Sequence, residues 1–287
     1  MTQSMIEAHT RNAMKATQLV PQSTPPVDQA HGLRQMFQAR VLRFIPVVSN
    51  PEVMYGGVVL ERLCAAYAGF GFRTLVVDAG ERARTLPELA HFDLAEGIED
   101  LSDHVQYLAA RGLPLKHVDA QGHSDTMIDA LGDAAPQADV VLLHASASEL
   151  VRVLGKRSRG FNVRPLLFTD ERAEGLTHAY AGVKIMAQRA HWMAHDLLVC
   201  AGPGSALAPQ VARRLAQCAD SFLGAAQRTW QPINPMEPPT TDPSAQFLAL
   251  AADLLHGALP HTLSDTAFDQ LMTPGSALPS RRTPVFN

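Results

Sequence analysis

The stretch FIPVVSNPEVMYGGVVLERL, residues 44–63, passes from an apolar run through a short loop into helical periodicity. This is the layout in which backbone N–H groups at a helix start can hold a phosphate. Phosphate chemistry there needs glycines so that the N–H groups close around the ligand, a lysine to neutralise it and a Ser or Thr to hold magnesium. The loop offers Ser49, Asn50, Pro51, Glu52, Val53, Met54, Tyr55, Gly56 and Gly57. Pro51 has no N–H, Val53 resists positive φ, and Glu52 repels a phosphate. Losing one preorganised donor typically costs roughly 100- to 1000-fold in rate, and here the lysine and several donors are missing together. Efficient hydrolysis is not encoded. The same residues read as a helix start, with Asn50 as N-cap, Pro51 at the first helical position and Glu52 in the first turn. The Glu52 carboxylate then takes, in cis, the place of a phosphate at the positive end of the helix dipole. An ordinary strand-to-helix connection that never held nucleotide is the alternative on these residues alone.

Such a loop is useful only on a scaffold that aims it. Strand-like runs VLRFIPVV (41–48), TLVVD (74–78), LKHVD (115–119), DVVLL (139–143), PLLFT (165–169) and LLVC (197–200) alternate with helix-length segments near 56–70, 100–112, 124–134, 146–155, 176–194 and 206–223. Short apolar strands spaced by helices predict an α/β fold, a mostly parallel sheet with helices on both faces. Ligands of such sheets bind at the carboxyl ends of the strands, where 49–57, 79–81 and 144–148 should cluster. Further on, SAQFLALAADLLHGAL (244–259) places Phe247, Leu250, Ala251, Leu254 and Ala258 on one helical face, and its polar face has no lysine or arginine. This predicts a helix packed on the domain rather than on an anionic bilayer.

The 287 residues, 46% of them hydrophobic, suffice for one large domain with extensions. A formal net charge of −4 without long runs of one sign gives no footprint for nucleic acid or anionic lipid. Cys64, Cys200 and Cys218 lie far apart, two of them in apolar runs, which suits buried free thiols in a reducing compartment and argues against a disulfide frame or a metal site. The N-terminal MTQSMIEAHTRNAMKATQLV lacks the apolar core of a signal peptide, and no segment approaches the roughly 18 apolar residues of a spanning helix. A cytoplasmic location is expected.

From Val48 through YGGVVLERLCAAYAGFGFRTLVVDAG, the chain resembles the first βαβ unit of the MinD/ParA family of deviant phosphate-loop ATPases. That family's pattern is a Gly/Lys-rich loop, a helix, Gly-x-Arg and a strand ending Asp-Ala-Asp. Counting back from Asp78 through Gly71, the resemblance puts the family's loop lysines at Pro51 and Gly56, its magnesium-binding threonine at Gly57 and its second acidic position at Gly80. Asp78 alone is retained. The acidic residue that closes the family's central strand is His144 in DVVLLHASA, read as a hydrogen-bonded core histidine rather than a catalyst. RPLLFTDERAEGLTHAYAGVKIMAQ (164–188) resembles the family's strand, Thr-x-Glu-Pro and Thr-Asp-Ala-Tyr-Ala-x-Ile-Lys, with Thr177, Ala179, Tyr180, Ala181 and Lys184 in place and His178 for the Asp. Residue by residue, packing plus a solvated lysine explains these as well. The resemblance implies a P-loop NTPase-like sheet of the MinD/ParA type, no cofactor at the degenerate loop, with weak ATP or ADP binding left open, and no metal.

Residues 1–27 are polar, end in PQSTPPV and read as a flexible arm. DQAHGLRQMFQAR (28–40) places Ala30, Leu33, Met36 and Phe37 at helical spacing behind a good N-cap. Gly32 weakens this helix by about 1 kcal/mol relative to alanine. Its Asp28, Gln29, Ala30, Leu33 and Arg34 match the Asp-Gln-Ala-x-x-Leu-Arg pattern of the FlhG/FleN branch of the family. That resemblance implies a partner, the signal-recognition-type GTPase FlhF, whose GTP hydrolysis the segment stimulates by completing the active site. Leu33 and Ala30 would anchor, Arg34 pair with a carboxylate or phosphate, and Gln29 orient water. It further implies a role in flagellar number and placement, with a flagellar C-ring component or a transcription regulator as further partners and a homodimer as a possible state. The resulting layout is an arm at 1–27, an activator-like helix at 28–40, an α/β domain at 41–259 and a disordered tail at 260–287.

Overall fold

The computed structural model describes residues 40–85 and 93–263. In chain order the elements are β1 (Val41–Val48), α1 (Gly56–Gly69), β2 (Thr74–Asp78), β3 (Ile98–Ser102), β4 (Val105–Ala109), α2 (Leu113–Lys116), α3 (Thr126–Ala134), β5 (Val140–Ala145), α4 (Ala147–Leu154), β6 (Leu166–Asp170), α5 (Ala173–Ala190), β7 (Ala194–Cys200), α6 (Ala208–Leu223), β8 (Ala226–Ile233), α7 (Ala245–His256) and β9 (Leu259–Thr262). They build one sheet in the order β3-β4-β2-β5-β1-β6-β7-β8, with β9 added to β1. Strands β4, β2, β5, β1, β6, β7 and β8 run parallel, while β3 and β9 are antiparallel to their neighbours.

The central strands are continuous apolar runs because both of their faces are covered. Leu42, Phe44 and Val48 of β1 point to the face packed by α3, α4, α5 and α6, with Leu131, Leu150, Val183 and Leu215 in the same core. Ile45 and Val47 point to the other face, against Leu63 and Tyr67 of α1 and Leu250 and Leu254 of α7. The Tyr67 hydroxyl donates to the Ala251 carbonyl (3.1 Å) and locks α1 to α7. The expected packing of α7 on the domain is thus present, each buried leucine contributing about 1.5–3 kcal/mol. Pro46 lies where one edge of β1 has left β9 at Phe44 and not yet met β6 at Val47, so on that edge its missing N–H breaks no ladder bond.

Several expectations are corrected. The predicted helix at 100–112 is largely the hairpin β3–β4, and the predicted strand at 115–119 begins inside the short α2, capped by Gly112 at a φ of 81°, and runs on into a loop. Neither β8 nor β9 was anticipated. Residues 260–262 belong to β9 rather than to a tail, because their backbone pairs with Val41–Arg43. Residues 264–287, residues 1–27 and all of the 28–40 helix except Arg40 lie outside the described residues.

Candidate functional site

The carboxyl ends of β1, β2, β5 and β6 meet at a cleft of about 190 Å³ whose lining includes Ser49, Asn50, Pro51, Gly56, Gly57 and Asp78, together with Gly80, Glu81, Arg82, His144 and Phe168. The clustering predicted for 49–57, 79–81 and 144–148 is present in part: residues of the first two stretches line the cleft, and of 144–148 only His144 does. The volume lies below the roughly 300–1,000 Å³ usual for a small-molecule site.

The loop is built differently from the expected helix start. Helix α1 begins at Gly56, with Tyr55 at the cap position, no side-chain cap and no acidic residue in its first turn. Asn50 does not cap it. Its amide donates to the Phe168 and Gly175 carbonyls (3.0 Å each), and its Oδ1 accepts from the Glu52 N–H at 3.2 Å. One buried side chain thereby ties the end of β1 to the end of β6 and the first turn of α5. Glu52 is exposed and precedes α1 by a full turn, so its carboxylate does not replace a phosphate at the helix dipole. The carboxylate at the loop is that of Glu81, which accepts from Ser49 Oγ at 2.8 Å. Two arginines fasten the loop through its carbonyls, Arg82 to Pro51 and Arg172 to Glu52. A loop whose carbonyls face cations is the electrostatic inverse of one whose N–H groups face an anion.

Asp78 and His144 end neighbouring strands in register. His144 Nδ1 lies 2.7 Å from Asp78 Oδ1, the Gly80 N–H donates to the same oxygen at 3.1 Å, and the Tyr107 hydroxyl donates to Oδ2 at 3.2 Å. Burial raises the Asp78 carboxyl, but the hydrogen bond and charge of His144, the Gly80 N–H and the Tyr107 hydroxyl outweigh it and hold the pKa below the usual carboxylate range. An ionised Asp78 places the proton on His144 Nδ1. Tyr107 is pushed up to about 12 by burial and by the neighbouring Asp78 charge.

His144 is 9% exposed, as expected for a hydrogen-bonded core histidine, and its Nε2 is buried without a partner. Its ring sits beside Phe168, centroids 5.9 Å apart. A Cβ at Gly80 would lie 2.9 Å from His144 Cε1, and one at Gly56 would lie 3.2 Å from Phe168 Cζ. Two positions that the resemblance assigns to an acidic residue and a lysine are thus glycines against rings.

The other sequence candidates separate from this site. Thr177 Oγ1 donates back to the Ala173 carbonyl (2.7 Å) within α5. Ala179 is buried, whereas Ala181 and Lys184 are exposed, matching packing plus a solvated lysine. Tyr180 packs against the core. Asp28, Gln29, Ala30, Leu33 and Arg34 lie outside the described residues. Cys64 and Cys200 are buried and free, each pushed up to about 12 chiefly by burial; Cys218 is free and half-buried. Phe168 and Tyr107 lie outside the stretches expected at the site, and Glu81, inside 79–81, had no role assigned to it. Only Phe168 carried a signal, as an aromatic near a strand end. Among the described residues, no three His, Cys, Asp or Glu converge to hold a metal ion, and no helix is long and apolar enough to cross a membrane.

No family model and no curated protein matches the chain. Solved structures do. The cobyrinic acid a,c-diamide synthase from Mycobacterium smegmatis with bound ADP and magnesium is 13% identical with a TM-score of 0.51, the alignment covering 75% of this chain and 94% of that one. The same enzyme in a second structure gives 12% and 0.50 over the same shares. The MinD cell division protein from Aquifex aeolicus gives 12% and 0.48, over 84% of this chain and 100% of that one. At these identities, the synthase likeness establishes a shared fold and leaves the chemistry of this chain to its own residues.

Proposed function

We propose that this chain is an FlhG/FleN-like member of the MinD/ParA family that acts by protein binding. Asp28, Gln29, Ala30, Leu33 and Arg34 engage an FlhF-type GTPase and stimulate its GTP hydrolysis, while the α/β body is a pseudo-ATPase. The observation that carries the reading is the cleft itself. Pro51 and Gly56 stand at the lysine positions, the loop turns carbonyls toward Arg82 and Arg172, and His144 with Phe168 occupies the interior. A solved structure of the same fold carries ADP and magnesium, and these are the features of this chain that oppose such a ligand. With the body silent, function moves to the arm, which keeps its motif intact. The protein would work in the cytoplasm on flagellar number or placement, without nucleic acid, and could extend its contacts to a C-ring component, a transcription regulator or a second copy. The test is GTP turnover by an FlhF-type GTPase with the full chain and with Gln29→Ala. The expected result is stimulation by the first and not the second; equal rates would sink the activator reading.

A second reading, an ATPase with residual turnover in division, partition or flagellar positioning, is favoured by one observation. Asp78 is retained and held ionised at the cleft. It requires saturable ATP binding and magnesium-dependent turnover abolished by Asp78→Ala.

A further inference from the structure

We propose that the groove between α1 and the β3–β4 hairpin, joined to the cleft at Asp78, binds a small organic cation, an amine with an apolar body. This stands whether or not the arm activates a GTPase. The groove encloses about 650 Å³ between Leu60, Ala65 and Ala68 of α1 and the sheet residues Val76, Val105 and Tyr107, a volume inside the usual range for small-molecule sites. It shares Gly57, Leu60 and Asp78 with the smaller cleft, so the two form one trough with a carboxylate at the junction.

The trough has a fixed wall. Arg62, 5% exposed on α1, donates to the carbonyls of Glu237 (2.9 Å), Pro238 (3.0 Å) and Thr241 (3.1 Å). These bonds hold Pro239 against the groove. The same guanidinium lies 3.5 Å from the Glu237 carboxylate, so this buried charge is spent entirely on fixing one segment.

The polar groups decide the ligand's charge. Asp78 accepts three hydrogen bonds in all and, with four lone-pair sites, keeps one free. Glu61 lines the groove and Glu81 the cleft, while His144 Nε2 at the cleft wall is buried with no partner. In the groove Tyr107 spends its hydroxyl on Asp78 and no lysine or arginine lines the wall, whereas Arg82 lines only the smaller cleft, where one of its N–H groups goes to the Pro51 carbonyl and Ser49 donates to Glu81. Arg84 acts on Tyr107 electrostatically but lines neither cavity. In the groove an anion meets the Asp78 and Glu61 carboxylates and no cationic side chain, whereas an ammonium meets acceptors. A metal ion is the wrong cation, since among the described residues no three acidic, His or Cys side chains converge. The apolar body would lie along Ala65 and Ala68 over Val76 and Val105.

The test is calorimetric titration of the full chain with 4-phenylbutylamine, 4-phenylbutanol and 4-phenylbutyrate. Saturable binding is expected for the amine, binding at least about tenfold weaker for the alcohol, and none for the acid. Asp78→Asn should reduce the amine to the alcohol's level. Ala65→Phe, which fills the groove from a half-exposed helix position, should abolish binding of both and keeps the test decisive if Asp78→Asn does not fold. No saturable binding of the amine, equal binding of all three, or indifference to Ala65→Phe would overturn the proposal.

Discussion

Gly80 and His144 constrain each other at the scale of single residues. A Cβ on residue 80 would sit 2.9 Å from the imidazole, so an acidic side chain there is incompatible with this histidine. Gly80→Asp should cost about 1–3 kcal/mol through overpacking, and His144→Ala should recover much of it, as read from urea midpoints of the single and double variants. Asp78 and His144 were legible in sequence because each closes an apolar run. Asn50 was misread because the carbonyls that claim its amide lie 118 and 125 residues away, and nothing in the local spacing reveals them. His195 supplies a pH prediction. It is buried, neither ring nitrogen has a partner, and burial lowers its pKa to about 4. With an unfolded value near 6.5, the unfolded chain binds more protons between these limits, so this residue's contribution is lost as pH falls through that window, about 3 kcal/mol in all. Burial raises the neighbouring Asp196 to about 6 despite the opposing Arg164 charge, and this works with the opposite sign. His195→Gln should therefore gain on wild type by about 3 kcal/mol between pH 7 and pH 4 in denaturant titrations; parallel profiles would contradict the assignment.

At the scale of elements, the strands read correctly were those buried on both faces, where the apolar run is its own signature. The misread ones lie at the margins of the sheet. β3 is an edge strand, largely exposed in IEDLS, and with only one neighbour it has no need of apolar alternation. β8, at the other end, is half-buried and contains Pro232, and β9 is four residues attached to part of β1. LKHVD imitates a strand, yet Pro114 and the left-handed Gly112 beside it open a helical turn. The joint among β1, β6 and α5 rests on Asn50 instead of a helix cap, and that distinction is measurable. Asn50→Ala should destabilise by about 1–3 kcal/mol, since it removes both amide bonds of the brace and leaves the buried Phe168 carbonyl without this donor. Glu52→Ala should leave the unfolding midpoint where it is, whereas a stabilising in-cis carboxylate would require a loss.

At the scale of the whole molecule, the described residues form a sheet with two covered faces and a carboxyl edge held by internal contacts. Carbonyl-to-arginine ties, a brace at Asn50 and the His144–Phe168 ring pair occupy the carboxyl edge of the sheet. The fold class was legible from strand-helix alternation; the ring pair was not, because it depends on which side chains the topology brings face to face. If the body is silent, its partner activity should not depend on ATP. The most direct measurement is GTP turnover by an FlhF-type GTPase with the full chain, with and without saturating ATP and magnesium. The account predicts the same stimulation in both conditions; stimulation that appears only with ATP, or none in either, would contradict it.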